Sequence, residues 1–353
     1  MAVIKRVTMQ DIADACGLSR NTVSKIFNGR GSVPDSTRDF VLAKAQELGY
    51  HQLGEAEGSA TAPMVSSSRN IALLTHSKPL NHSFGSLFIT NFTDEICRSG
   101  YNLKVFEISQ EDYAVNKLPD HFLVSEISGI IAIELFDRDY TQMLCSLGIP
   151  VMLIDSYVCA PSDLMRCDLV YMENYASTIA MTSCMIAAGA KRLGFIGDIN
   201  HCSSFRERWN GFRTAIDNAE LTLDRSVCIL ADDAEPYGEV DWLISKLNAM
   251  PCLPDGFVCA NDFLAIRIIQ ALRGKGISVP EKVMVTGFDG SPEAEVVSPS
   301  LTTAQIPSAQ IGRISADMLL ERIASPRLPY RCTFLKTTPI FRESTRCIPN
   351  SGH

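Results

Sequence analysis

Three side chains near the start of the chain have the chemistry of groups that read DNA bases. They lie in the stretch DIADACGLSRNTVSKIFNG, Asp11 to Gly29. The forked guanidinium of Arg20 suits the O6 and N7 atoms of guanine, and the amide of Asn21 suits the N6 and N7 atoms of adenine. Lys25 is expected on the same outward face. The short polar residues expected to bond DNA phosphates and fix the register are Thr8, Ser19, Ser24, Asn28 and Thr37.

The surrounding apolar residues predict two helices joined by a tight turn. Apolar side chains between Met9 and Cys16 fall on one helical face, Gly17 breaks the helix, and Ser19 is a good N-cap for the next. Ala13, Gly17 and Val23 have the spacing of a small residue, a turn glycine and a branched packing residue. The pattern indicates a helix-turn-helix that presents the base-reading side chains, although a small helical domain with an ordinary solvated face has similar periodicity.

A third helix, predicted from about Pro34 to Leu48, completes a small all-α head of residues 1–50. Charge separates this head from the remainder. Residues 1–50 contain seven Lys and Arg against five Asp and Glu, a net +2, so the total of −8 leaves −10 for residues 51–353. The head can therefore approach phosphates while the acidic remainder is repelled, which favours one docking orientation.

From Asn70 onward, short apolar runs alternate with amphipathic stretches, a rhythm that predicts parallel sheets with helices on both faces. The series is too long for one such sheet and restarts near residue 168, so two doubly wound α/β subdomains are expected, with a ligand cleft at the carboxyl ends of the strands. Helical stretches are 87–98, 175–188, 206–219 and 262–275. Strands are predicted at 71–74, 103–106, 129–133, 151–154, 169–172, 193–196, 227–230, 256–260, 283–287 and 301–306.

Four acidic residues follow predicted strands at the positions where a cleft ligand would lie. Glu134 follows GIIAI, Asp155 ends VMLID, Asp262 follows GFVCAN, and Asp289 lies in GFDG. Each could bind a ligand in the cleft. Asp262 could also be a helix N-cap, a role that can coexist with ligand binding, and Asp289 could instead shape a turn.

Composition and motifs exclude several other classes. No apolar run approaches the length of a membrane span, and the N-terminus has no secretory h-region. The sequence contains no G-x-S-x-G, H-E-x-x-H or G-x-x-x-x-G-K-[ST], so an enzyme is not expected. The twelve cysteines form no CxxC and no Cys/His group at zinc spacing, which predicts buried free thiols, no metal and no cofactor.

The head closely resembles that of LacI/GalR transcription regulators, through TMQDIADACGLSRNTVSKIFNGRGSVPDSTRDFVLAKAQELGY. The resemblance covers nearly the whole chain, through VYMENYASTIAMTSCMIAAGAKRLGFIGD, SSFRERWNGFRTAI, FVCANDFLAIRIIQALRGKGISVPEKVMVTGFDGSP and PSLTTAQIP. It implies a periplasmic-binding-protein-like body at 70–345 that senses a ligand and dimerises. Its implied subdomains are about 70–165 plus 298–327 and about 166–297 plus 328–345, with crossings near 164–168, 291–298 and 326–331.

The resemblance also assigns roles to residues of the body. Arg208, three residues before Gly211, corresponds to an arginine that binds ligand hydroxyls or a carboxylate. The alternative is that Arg208 is a surface arginine on its helix with no role in ligand binding. Phe84, in the expected loop after the first strand, corresponds to a ring over the ligand, or else is a core residue. Ala234 replaces an aromatic that often stacks on the ligand. An acidic, less aromatic pocket is therefore expected, suited to a polyhydroxy or amine-bearing ligand.

The linker at 51–69 departs from the resemblance. Gln52 stands where a proline is common, and Glu57 and Ser59 stand where a short hinge helix carries Arg and the Leu that wedges open the minor groove. A minor-groove kink needs an apolar wedge. The usual hinge-induced bend is therefore not expected.

Together these features predict a cytoplasmic, homodimeric transcription repressor. Its expected partners are a pseudo-palindromic double-stranded DNA operator and a small-molecule effector, expected to be a sugar or sugar-derived. The alternative is a cytoplasmic small-ligand binding protein with a weak or non-specific DNA-binding head.

Overall fold

A computed structural model of the 353-residue chain describes residues 8–27, 34, 37, 40, 41, 44, 68–76, 83–159 and 165–347, without the side chains of residues 27, 83 and 84. The chain forms two compact units, Met1–Ala62 and Pro63–His353. These are the head and the body, and each has its own core. The linker residues Gln52, Glu57 and Ser59 lie outside the described residues.

The head contains the first two of the three helices that the sequence predicts, α1 (Met9–Cys16) and α2 (Arg20–Phe27), and most of the predicted third helix lies outside the described residues. Between them Gly17 adopts a left-handed φ of 65°, and its N–H bonds the carbonyls of Ala13 and Asp14. Glycine adopts this conformation at no steric cost, so the chain can turn sharply there. Among the described residues, Ile12, Ala13, Val23, Ile26 and Val41 form the core of the head.

The body contains a six-stranded sheet with the order β10-β5-β4-β3-β1-β2, in which all neighbouring strands are parallel. Its strands are β1 (Asn70–Thr75), β2 (Asn102–Glu107), β3 (Gly129–Ile133), β4 (Val151–Ile154), β5 (Asp168–Met172) and β10 (Cys332–Leu335). The helices associated with it are α3 (Ser83–Arg98), α4 (Gln110–Ala114), α5 (Arg138–Cys145) and α11 (Ser308–Ala324).

Alternate residues of the central strands pack on opposite faces of this sheet. Leu73 and Ile131 contact a core that includes residues of α3 and α11, whereas Leu74 and Ile130 contact a core that includes Tyr140 of α5. Because both faces are covered, the strands read as continuous apolar runs rather than as an alternating pattern.

Helices α3 and α11 approach each other closely at Gly312. A Cβ atom at this position would lie 2.5 Å from the carbonyl oxygen of Phe88 on α3. Any larger residue would force the two helices apart, so glycine sets their spacing. The helix pair covers one face of the six-stranded sheet.

A second parallel sheet has the order β6-β7-β8. A two-stranded antiparallel sheet of β9 and β11 lies beside it, because the N–H groups of Gly287 and Asp289 bond the carbonyls of Thr302 and Ala304. The strands are β6 (Leu193–Ile196), β7 (Gly256–Cys259), β8 (Met284–Thr286), β9 (Thr303–Gln305) and β11 (Thr338–Ile340). The helices are α6 (Tyr175–Ala187), α7 (Ser203–Asn218), α8 (Val240–Ala249), α9 (Asp262–Gly274) and α10 (Pro292–Val296).

The sheets divide the body differently from the sequence-based boundaries. Strands β5 and β10 pair with each other in the six-stranded sheet, although 166–297 plus 328–345 was expected to form the second subdomain. The chain therefore crosses between β5 and α6, between β9 and α11, and between β10 and β11. Parallel pairing joins residues distant in sequence, so an apolar run does not reveal which sheet it enters.

Two local predictions were wrong. The run 227–230 forms no strand. Val227 is the last residue of a 3-10 turn (Arg225–Val227), and Ile229 forms an isolated β-bridge with Ile196. The thiols of Cys184 and Cys347, expected to be free, are joined in a disulfide with Cα atoms 5.7 Å apart. Separately, no helix among the described residues is long and apolar enough to cross a membrane.

Candidate functional site: a cleft in the body and an exposed helix in the head

A cavity of about 790 Å³ lies at the carboxyl ends of the strands of both large sheets. Volumes of this size suit small organic ligands. Five of the six body residues that the sequence singled out line it together: Glu134, Asp155, Arg208, Asp262 and Asp289. Two come from the ends of β3 and β4, and three from the side of β6-β7-β8, so one ligand could touch both subdomains.

Arg208 lies on α7 and is only 3% exposed, so it is not a surface arginine. Its Nε donates to Oδ1 of Asn174 at 2.9 Å, and its Nη1 donates to the carbonyl of Ala260 at 2.6 Å. Nη1 also lies 3.5 Å from Oδ1 of Asp289. The guanidinium stacks over the ring of Phe288, with Cζ 3.8 Å from the centroid.

Asn174, where the chain crosses from β5 to α6, holds Arg208 in place. It is fully buried, and its amide donates to the carbonyl of Met172 and to Oε2 of Glu207, both at 2.8 Å. With both amide hydrogens directed this way, its oxygen faces Arg208 and can accept. Sequence reasoning missed this residue, although it stands in the ENY segment that carries part of the family resemblance.

Asp262 is the first residue of α9, but the N-cap of that helix is Asn261, whose side chain accepts from the N–H of Leu264. The carboxylate of Asp262 instead accepts from the hydroxyl of Thr303 at 2.6 Å and from the N–H of Ser291 at 2.8 Å. Burial raises the pKa of Asp262 to about 6, against the opposing effect of these hydrogen bonds.

Asp289 and Glu134 follow strands on opposite sides of the cavity, and each has a positive φ, 126° and 53°. Side chains larger than glycine rarely adopt such angles, and functional sites are where they concentrate. Desolvation in the cleft, with repulsion from Asp262 and Glu134, raises the pKa of Asp289 to about 8 despite Arg208. About a third of its side chain still faces open space.

Asp155 also has a positive φ, 62°, and its Oδ1 accepts from the N–H of Ser156 at 2.8 Å. It is 7% exposed, and burial raises its pKa, opposed by hydrogen bonds from Ser204 and Cys202. Three strand ends that line the cavity, those of β3, β4 and β8, thus present carboxylates from unusual backbone conformations.

Aromatic rings form much of the remaining wall, contrary to the expected less aromatic pocket. His76 and Tyr113 stack with centroids 4.4 Å apart, and His201 contacts both Phe136 and Phe205 at 4.9 Å. These rings come from loops and helices that are far apart in the chain, so no local spacing indicated them. The lining rings are His76, Tyr113, Phe136, His201, Phe205 and Phe263.

Phe84 and Ala234 are two further positions that the sequence predicts near the ligand. The backbone of Phe84 lies in the first turn of α3, not in the expected loop, and its side chain is outside the described residues. Ala234 is exposed, and it is not among the residues that line the cavity.

In the head, Arg20, Asn21 and Lys25 are all exposed on α2. They lie opposite Val23 and Ile26, which are buried in the core. The outward polar face that the sequence predicts is therefore present, and its side chains are not required for packing.

The residues predicted to contact phosphates differ in their surroundings. The hydroxyl of Thr8 accepts from the N–H of Asp11 in a capping box, and that of Ser19 accepts from the N–H of Thr22 at 3.1 Å. Ser24 and Thr37 are half-buried, and Asn28 lies outside the described residues. Thr8 and Ser19 thus cap α1 and α2, where helix N-termini also favour anions.

The fold and the cavity define a chain with a helix-turn-helix head and a body like a periplasmic binding protein. Sequence comparison agrees with both parts. Residues 8–52 match the bacterial regulatory proteins of the lacI family, and residues 183–345 match the periplasmic binding protein-like domain. The chain thus carries a DNA-binding domain of the lacI family and a periplasmic binding protein-like domain.

Named relatives match over almost their whole length. A ribose operon repressor of Haemophilus influenzae is 23% identical over 337 residues, 96% of this chain and 98% of that protein. The transcriptional repressor PurR of Haemophilus influenzae strain PittEE is 27% identical over 320 residues, 90% of this chain and 91% of that protein.

Solved structures share the fold. A complex of the transcriptional regulator CelR with cellobiose has a TM-score of 0.69 at 23% identity and covers 96% of this chain and all of that chain. A lac repressor dimer bound to operator and the anti-inducer ONPF has a TM-score of 0.67 at 20% identity and covers 97% of this chain and 99% of that chain.

Proposed function

We propose that this protein is a homodimeric transcription repressor whose affinity for an operator is controlled by a small molecule bound in the cavity. One observation carries the proposal: the same chain presents an exposed Arg-Asn-Lys face on α2 and a 790 Å³ cavity lined from two subdomains. The proposed role agrees with the repressor relatives.

Arg20 and Asn21 stand in the first turn of α2, the part of a recognition helix that reaches base edges. In this proposal they read guanine and adenine, Lys25 adds a third contact, and the N-termini of α1 and α2 approach phosphates through Thr8 and Ser19. Two heads of a dimer would occupy half-sites about one helical turn apart.

The cavity supplies the control. An effector that touches Glu134 and Asp155 on one side, and Arg208 and Asp262 on the other, binds a closed cleft more tightly than an open one. Closure then biases operator affinity by a coupling of roughly 1–3 kcal/mol. The names of the ribose operon repressor and of the CelR-cellobiose complex favour a carbohydrate or related effector. We place this activity in the cytoplasm, with no enzymatic step.

The test is selection of sequences bound by the full chain from random double-stranded DNA. Enrichment of a pseudo-palindrome with a defined half-site spacing is expected. Parallel selection with the double variant Arg20→Ala, Asn21→Ala should lose that enrichment. Recovery of unrelated sequences by the unaltered chain, with affinity that depends only on salt, would contradict the proposal and favour a ligand-binding protein with a non-specific head.

A further inference from the structure

The cavity has a pronounced excess of acidic groups. Among the residues that the structure describes, Arg208 is the only Lys or Arg that lines it, and His76 and His201 contribute imidazole rings. Within the same described part of the chain, six carboxyl groups line the cavity together with this arginine: Glu134, Asp137, Asp155, Asp262, Asp289 and Glu293.

Arg208 is already engaged by the protein. Its Nε bonds Asn174, its Nη1 bonds the carbonyl of Ala260, and its plane covers the ring of Phe288. Its Nη1 also lies 3.5 Å from Oδ1 of Asp289. An arginine held by these contacts is poorly placed to neutralise several carboxylates at once, or to form the main grip on an anionic ligand.

Some of the carboxyl groups also have structural tasks. Asp137 caps α5 by accepting from the N–H of Tyr140, and Asp262 accepts from Thr303 and Ser291. Asp289 differs, because its carboxyl lies beyond hydrogen-bond range of Nη1 of Arg208, and electrostatic repulsion links it to Glu134 across the cavity. A positive charge placed between Asp289 and Glu134 would relieve that repulsion.

The aromatic wall is compatible with the same ligand. The side chains of Tyr113, Phe136, Phe205 and Phe263 line the cavity, and aromatic rings can attract cations as well as pack on the apolar faces of sugar rings. Carboxylates supply acceptors for hydroxyl and ammonium groups alike. The lining thus combines features that suit a cation with features that suit a polyhydroxylated frame.

We propose that the effector is an organic cation, a protonated amine on a small polyhydroxylated frame, with its ammonium group between Glu134 and Asp289. This inference rests on the proposed function only in naming the cavity as the effector site. The hydroxyl groups of this effector would bond Asp155 and Asp262, and an aromatic ring of the cavity wall would cover its apolar face.

The first experiment measures binding of matched pairs to the full chain by calorimetry. The probes are 1-amino-1-deoxyglucitol, glucosamine, galactosamine and mannosamine, each compared with its uncharged hydroxyl counterpart, and the amino sugars also with their N-acetyl derivatives. At least one amine should bind about tenfold or more tightly than its uncharged partners, the equivalent of one pKa unit of interaction. Equal or tighter binding of the uncharged partners, or no binding of any amine, overturns the inference.

Variants locate the charge. Asp289→Asn and Glu134→Gln should each weaken binding of the amine about tenfold while leaving binding of its uncharged partner within about twofold. Asp241→Asn, at an exposed carboxylate of α8 outside the cavity, is the matched control and should change neither. Unchanged amine binding in both cavity variants, with thermal unfolding showing that both fold, overturns the placement of the ammonium group.

A second readout is proton release. Asp289 faces Arg208 on α7, Asp262 on α9 and Glu134 after β3, and Glu293 of α10 lines the same cavity. Near neutral pH a cation would displace the proton that the raised pKa of Asp289 retains. Calorimetry in buffers of different ionisation enthalpy should therefore show release that disappears in Asp289→Asn; proton uptake would contradict the inference.

The inference and the proposed function fail separately. If an amine binds as expected but leaves the affinity for a selected operator unchanged, the result supports the cation site and contradicts control of operator binding by the ligand. If an uncharged sugar changes operator affinity while no amine binds, ligand control stands and the cation site is excluded.

Discussion

The polar face of α2 and the cavity of the body are both predicted binding surfaces, but they are built in opposite ways. Arg20, Asn21 and Lys25 are exposed beside a core to which they contribute nothing. Arg208 and Asp262 are 3% and 1% exposed, and both are tied into hydrogen-bond networks. The base-reading role of α2 can therefore be removed without loss of stability, whereas in the cavity ligand binding and stability are coupled.

The largest effect is expected from Arg208→Ala. The change leaves the buried oxygens of Asn174 and Ala260 without a donor and removes the guanidinium 3.5 Å from Asp289. Breaking such a buried charged network costs about 3–5 kcal/mol. Urea unfolding of the body should show this loss, and effector response should disappear. Arg213→Ala, at an exposed position of the same helix, is the control. Equal stability of the two variants would show that Arg208 does not couple binding to stability in the cavity.

Arg20→Ala is expected to have no measurable effect on stability, because the side chain is exposed. If Arg20 reads a base, the change should cost about 1–3 kcal/mol of discrimination at one position of the operator. Binding titrations against an operator and its single-base variants measure this. A uniform loss on all sequences, with a shallower salt dependence, would instead assign Arg20 to a phosphate.

The pH dependence of stability tests the acidic cavity directly. The pKa of Asp289 is raised to about 8 in the folded chain, from about 3.9 in an unfolded one. The folded state therefore binds more protons between these values, so this group makes stability fall as pH rises towards about 8. The slope has a ceiling of about 1.4 kcal/mol per pH unit for one proton.

The matched variant for this measurement is Asp289→Asn, which has no proton to lose. Its unfolding free energy between about pH 5 and pH 8 should fall less steeply than that of the unaltered chain. Parallel curves for the two proteins would show that the carboxyl of Asp289 is not protonated in the empty cavity.

The smallest effect is expected in the head, where Thr8→Ala sharpens the comparison. Thr8 caps α1 together with Asp11, so its loss should cost about 1 kcal/mol of stability. Thr8→Ser, which retains the hydroxyl, is the control. If Thr8→Ala weakens DNA binding without lowering the melting temperature of the head, the hydroxyl acts on phosphate rather than as a cap.

The difference between the regions also explains what the sequence could predict. Helices α1 and α2, the turn at Gly17 and the exposed Arg20 follow from spacings within twenty residues. Glu134 and Asp155 could be found because each directly follows an apolar strand, and Asp289 because it stands within three residues of the end of one. The pairing of β5 with β10 and the aromatic wall could not, since they join residues distant in sequence. The same applies to Asn174 and Arg208. The sequence motifs that contain them can be recognised, but the hydrogen bond between their side chains cannot be predicted from those motifs.

The threading of the chain through the body has a consequence for synthesis. Strand β10 completes an edge of the six-stranded sheet, and β11 completes the small sheet beside β8; both lie after residue 330. The described core of the head, by contrast, closes at Val41. A ribosome therefore supplies the parts of the DNA reader long before those of the sensor, and a nonsense codon ahead of β10 yields a reader with an unfinished sensor.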